Sequence, residues 1–163
     1  MIESEDIEQA RIRQTVLAIP TSIDVGDFAA AERLFADRVE VDYSSLWGGT
    51  AQTMPRADLI GAWRALVPGF DATWHELGPI DLVLDGARAT ARCAVDARHW
   101  LGTDMWRLRG LYVFDLVRAE GWRVALMHFV LEQEAGDRGL VDQARERVAR
   151  TGSMTAAGAE RSA

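Results

Sequence analysis

Four long strand-like segments, roughly 72–84, 88–100, 104–118 and 121–134, follow one another with only the turn signals DGA, LGT and AEG between them. Strands joined this tightly must pair with their chain neighbours, because a parallel crossover needs a dozen or more connecting residues. The second half of the chain is therefore read as an antiparallel meander.

The first half supplies helices. Residues 3–22 carry Ile12, Val16 and Ile19 as an apolar stripe at helical spacing, with Pro20 disturbing the last turn. Gly26 can break this helix and Asp27 can cap the next, FAAAERLFAD. From Arg38 the period changes to two, and VEVDYSS places Val39, Val41 and Tyr43 on one face. Gly48 and Gly49 suggest a turn into a short return strand through Thr53. PRADLIGAWRALV then opens with a proline suited to a first helical turn, and DRGLVDQARERVAR reads as a C-terminal helix. Helices early and strands late give an α+β class. The expected architecture is a cone-shaped α+β barrel: a strongly curved antiparallel sheet wrapped around the N-terminal helices, with an interior pocket. At 163 residues the chain makes one domain, 1–151, and the small-residue segment 152–163 reads as a mobile tail.

Composition removes several function classes. The net charge is −7 and no basic block occurs, which disfavours nucleic acid as a partner. All 18 basic residues are arginine, so lysine Schiff-base chemistry, a lysine-anchored pyridoxal cofactor and a P-loop lysine are excluded together. Ser44 and Ser45 lack a G-x-S-x-G setting, and no glycine-rich nucleotide fingerprint is present. The three histidines lack H-x-H or H-E-x-x-H spacing, so neither a metal nor a cofactor is expected. No apolar run approaches the roughly 20 residues of a membrane span, and no partner membrane is expected. The acidic start MIESEDIEQARIR lacks the apolar stretch of a signal peptide, and the single Cys93 cannot form an internal disulfide. A cytoplasmic location is the expectation.

Polar residues fall where a core should be. In DATWHELGPIDLVLDG, His75 shares a face with Thr73 and Leu77, while Trp74 and Glu76 take the other. In RATARCAVDARHW, the small row Ala89, Ala91, Cys93, Val95 and Ala97 ends on His99, and Arg88, Thr90, Arg92, Asp96 and Arg98 face away. Tyr43, His75 and His99 thus lie on apolar rows of three segments, beside small residues that leave volume for a pocket. Singly, each has a plainer explanation: His75 as a core histidine, Tyr43 as a core aromatic, Asp24 as a turn or cap residue. The last strand is apolar on both faces, so alternation does not decide which side His128 occupies. An imidazole held by a carboxylate suits removal of a proton α to a carbonyl, with a tyrosine or second histidine polarising the carbonyl or protonating a departing hydroxyl.

The pattern IDVGDFAAAERLFADRVEVDYSSLWGG, with WHELG and RHW further on, resembles the SnoaL-like branch of the nuclear-transport-factor-2-like superfamily. Within it the chain is similar to scytalone dehydratase and to bacterial relatives of the hexachlorocyclohexane dehydrochlorinase and bile-acid dehydratase types, over about residues 5–135. The resemblance implies that Asp24 orients the catalytic histidine, that His75 is the base, and that Tyr43 and His99 are further catalytic residues. Ile23 departs from the pattern, standing where the fungal enzyme has a second pocket tyrosine. Trp63, Tyr112 and His128 are expected to contact substrate. The implied activity is a cofactor-independent lyase, a dehydratase acting on a small hydrophobic cyclic or polycyclic hydroxy-carbonyl compound. A ketosteroid-type isomerase, a polyketide cyclase and a noncatalytic ligand-binding or small-subunit module are the alternatives. The resemblance also implies a homo-oligomer, a trimer or else a dimer, and a C-terminal helix that covers the pocket.

Overall fold

The computed structural model describes residues 2–161, with side chains over 4–152. Helix α1 (Ile2–Asp24) and the short α2 (Phe28–Glu32) lead into strand β1 (Phe35–Asp42). A single turn, α3 (Ser44–Trp47), precedes β2 (Gln52–Pro55) and α4 (Arg56–Arg64), and a 3-10 turn at Val67–Gly69 enters the meander. There follow β3 (Ala72–Leu77), β4 (Asp81–Asp85), β5 (Arg88–Leu101), β6 (Asp104–Ala119), β7 (Gly121–Gly136) and helix α5 (Leu140–Arg161). Helix α5 thus takes in most of the segment expected as a tail, and residues 162 and 163 lie outside the described residues.

All seven strands form one curved sheet in the order β2-β1-β7-β6-β5-β3, with β4 also on β5. The sheet does not close on itself. Nor is it wholly antiparallel, because β1 runs parallel to β7 while every other pairing is antiparallel. The segment expected as one strand over 72–84 is two, broken at Gly78-Pro79, where proline has no N–H to give the ladder. The helix expected over FAAAERLFAD stops at Glu32, because Phe35 is needed in the core and enters the sheet beside Val124. Asp27 does cap α2, accepting from the Ala30 N–H at 3.0 Å.

The core fills the concave side of the sheet. The α1 stripe Ile12, Val16 and Ile19 is fully buried against it, joined by Ile23, and the β5 row Ala89, Ala91, Cys93, Val95 and Ala97 is buried as its alternation required. A bulge in β7 sets Leu126 opposite Asp115 but Val124 opposite Leu116, leaving Ala125 as the extra residue. Trp122 and Val124 before the bulge, and Met127 and Phe129 after it, therefore all point inward. Helix α5 is tied to the 3-10 turn: Leu140, Val141 and Ala144 are buried, and a Cβ at Gly69 would collide with the Ala144 carbonyl.

Candidate active site

Asp24 is the last residue of α1, and the packing of that helix against β3 delivers its carboxylate to the inner row of the strand. There Oδ1 accepts from Nδ1 of His75 at 2.7 Å and from the Thr73 hydroxyl at 2.9 Å, while Oδ2 accepts from the His75 backbone N–H at 2.8 Å. Burial pushes the Asp24 pKa up, but the hydrogen bond and attraction of the His75 ring, the His75 N–H and the Thr73 hydroxyl together outweigh it and hold it below the ordinary value. The carboxylate can only accept, so the Nδ1 proton of His75 is fixed in place. No buried side-chain nitrogen or oxygen among the described residues lacks a partner, so the unbonded Nε2 of His75 opens onto space rather than into packed core.

That space is a cavity of about 310 Å³ inside the cone, lined by His75, His99, Tyr43, Tyr112 and Trp63 among mainly apolar neighbours. His99, at the end of the small β5 row, is buried and bonds through Nδ1 to the Trp106 carbonyl at 3.0 Å. Burial, with the nearby His75 ring, lowers the His99 pKa to about 4. The ring is thus neutral at neutral pH, with its proton on Nδ1 and a bare Nε2 toward the cavity. In that state it accepts a hydrogen bond and has no proton to give. The His75 and His99 rings meet edge to face, their centroids 5.4 Å apart, and Phe70 and Trp106 flank His99 at 5.0 and 4.7 Å.

Tyr43 and Tyr112 both line the cavity, each with its ring against Phe129. Burial pushes both phenol pKa values up, so both hydroxyls stay protonated and able to donate. Tyr43 arrives from the end of β1 as the residue preceding α3 rather than from within a strand.

Of the residues expected in the site, Tyr43, Trp63, His75, His99 and Tyr112 line one cavity, and Asp24 stands behind His75. His128 does not join them. The β7 bulge turns it to the convex face, where Nε2 meets Glu40 at 2.8 Å. Among the described residues no group of three His, Cys, Asp or Glu side chains is arranged to hold a metal. Thr73, Trp106 and Arg145 were not anticipated. Thr73 was legible as the same-face neighbour of His75, whereas Trp106 and Arg145 are brought in by pairing and packing that no local pattern carries.

An α+β cone with an imidazole–carboxylate pair opening onto a mainly apolar cavity is what the fold and the site together define. The chain belongs to the SnoaL-like domain family, whose model matches residues 4–128. A protein from Kribbella flavida has a similar structure, with a TM-score of 0.78 and 27% identity over 86% of this chain and 99% of that one. A protein assigned as a scytalone dehydratase from Novosphingobium aromaticivorans superposes with a TM-score of 0.71 at 19% identity, over 85% of this chain and 93% of that one. A hexachlorocyclohexane dehydrochlorinase from Novosphingobium barchaimii gives 0.68 at 12% identity, over 85% and 96%. No curated relative matches the chain in sequence. These likenesses show that the same α+β cone recurs in those proteins.

Proposed function

We propose that the protein is a lyase, a dehydratase that removes a proton α to a carbonyl in a cyclic or polycyclic hydroxy-carbonyl compound. The observation that carries this reading is the 2.7 Å bond from His75 to Asp24 beside an apolar cavity. The relatives that share the fold include proteins named for loss of water or of hydrogen chloride, and each such loss takes a hydrogen from carbon. His75 Nε2 takes the proton from the α-carbon, and Asp24 stabilises the imidazolium that results. The electron pair of the broken C–H bond moves toward the carbonyl oxygen, which takes a hydrogen bond from the protonated tyrosine pair. The C=C bond then forms as the β C–O bond breaks. The departing hydroxide takes the proton back from His75, so water leaves and the protein is unchanged. His99 serves as acceptor for a substrate hydroxyl rather than as the acid.

The test is incubation with a panel of cyclic β-hydroxy ketones in heavy water, followed by mass spectrometry. Loss of one water, with deuterium entering the α position of unreacted substrate, is expected from the wild type and not from His75→Ala. Deuterium at a new position without loss of water would make the protein an isomerase. The absence of both exchange and water loss from every compound would end the enzymatic reading.

A further inference from the structure

Arg145 on α5 is the one full cation on the cavity wall, and no carboxylate side chain lines that wall among the described residues. Its neighbours on the helix and the preceding turn are already committed. Arg138 forks onto Glu134 at 2.7 and 2.6 Å and reaches the Leu46 carbonyl at 2.8 Å. Arg147 holds Asp71 at 2.6 Å. Arg145 makes no ion pair with any described residue; its guanidinium rests 5.6 Å from the centre of the Trp47 ring. The anchors on either side fix the backbone that carries this exposed cation at the edge of the cavity.

A run of ring side chains leads inward from it. Trp47 stands 5.8 Å from Trp106, Trp106 4.7 Å from His99, and His99 5.4 Å from His75, centre to centre. Flat rings along one wall, with a cation at the outer end and a base at the inner end, suit a fused-ring body carrying negative charge away from its reacting carbon. A chain of net charge −7 has little general attraction for anions, so such selection must be local.

We propose that Arg145 is a specificity residue that pairs with a carboxylate of the substrate, so that the compound taken is a polycyclic hydroxy-carbonyl acid. The inference rests on the cavity being the substrate site. Its test uses the full chain and two probes of the same shape, 2-naphthoate and its neutral counterpart 2-naphthamide, titrated by calorimetry. Wild-type protein should bind the naphthoate about tenfold more tightly, a preference that falls as salt rises. Arg145→Gln should abolish the preference by weakening the naphthoate alone, while naphthamide affinity stays within about twofold. Equal affinity for both probes in the wild type, no binding of either, or equal weakening of both by Arg145→Gln would overturn the proposal. His75→Ala separates it from the elimination chemistry: the naphthoate preference should survive that substitution while turnover is lost. In that variant a lost preference sinks only the carboxylate pairing, and turnover that survives sinks only the base.

Discussion

His75 and His99 lie 5.4 Å apart, yet the chain surrounds them with opposite partners. His75 has a carboxylate on its Nδ1 and His99 a carbonyl within an aromatic cage, so only the first can accommodate a positive charge in the reaction. Asp24→Asn and His75→Ala are each expected to cut turnover by about 10²–10⁴, with the double variant little worse than His75→Ala, because the two act as a unit. Steady-state kinetics of the three variants checks this, and full activity in both single variants would return His75 to the core. His99 makes a separate prediction about stability. Its folded pKa of about 4 lies below the ordinary 6.5, so unfolding takes up a proton in between. Stability is therefore fully present above about pH 6.5 and is lost as pH falls toward about 4, with a limiting slope of about 1.4 kcal/mol per pH unit from this group. The lowered pKa of Asp24 acts in the same direction at still lower pH. Urea midpoints measured across this range should fall with acid, and His99→Phe, which keeps a ring between Phe70 and Trp106, should flatten the slope. An unchanged slope would mean that His99 is not the group responsible.

Helix α5 shows what an element can do that its own pattern does not state. The sequence marks Leu140, Val141, Ala144 and Val148 as an apolar stripe, and the resemblance makes the helix a cover for the pocket. In the structure Leu140, Val141 and Ala144 are core residues, so the helix is wall as much as cover. Leu140→Ala is accordingly expected to cost about 2–5 kcal/mol, read by denaturant unfolding. Gly69→Ala should lower the midpoint as well and increase hydrogen exchange in α5, since the added methyl meets Ala144 backbone rather than a flexible side chain. Native-like exchange in Gly69→Ala would show that the seat can adjust. The strands β5, β6 and β7 were legible because period-two alternation and tight turns are local signals. His75 was legible because it shares a strand face with apolar residues, whereas Asp24, read as a turn or cap residue beyond a helix over 3–22, took its role from the resemblance alone. The β1–β7 pairing was not legible, because partners separated by most of the chain leave no local trace. The face of His128 was hidden for a related reason: one extra residue at Ala125 reverses the side chains from Leu126 to Leu131, and both faces of that strand are apolar.

At the scale of the molecule, the convex face of the sheet remains without a layer over it among the described residues. Asp96 there gathers Arg107 at 2.6 Å, Arg98 at 3.1 Å and Arg109 at 3.4 Å. The Arg107 hydrogen bonds, aided by Arg98, hold its carboxyl far below the usual carboxylate range despite the opposing effect of burial. On the same outer face Trp74, Val83 and Val130 stand 57%, 68% and 47% exposed. Exposed apolar side chains beside charges that are already paired describe a surface that loses little when water is removed from it. The expected consequence is self-association through this face, as a trimer or a dimer. Each chain carries −7, so like charges oppose assembly and moderate salt should strengthen it, the reverse of its effect on the Arg145 contact. Light scattering at micromolar concentration should give a small multiple of 18.0 kDa. Trp74→Glu, which places a repelling charge on the outer row of β3, should return the mass to one chain while leaving the concave cavity unaltered. A wild-type mass of one chain at every salt concentration would mean that the convex face is simply solvated, and that the cavity works in a monomer.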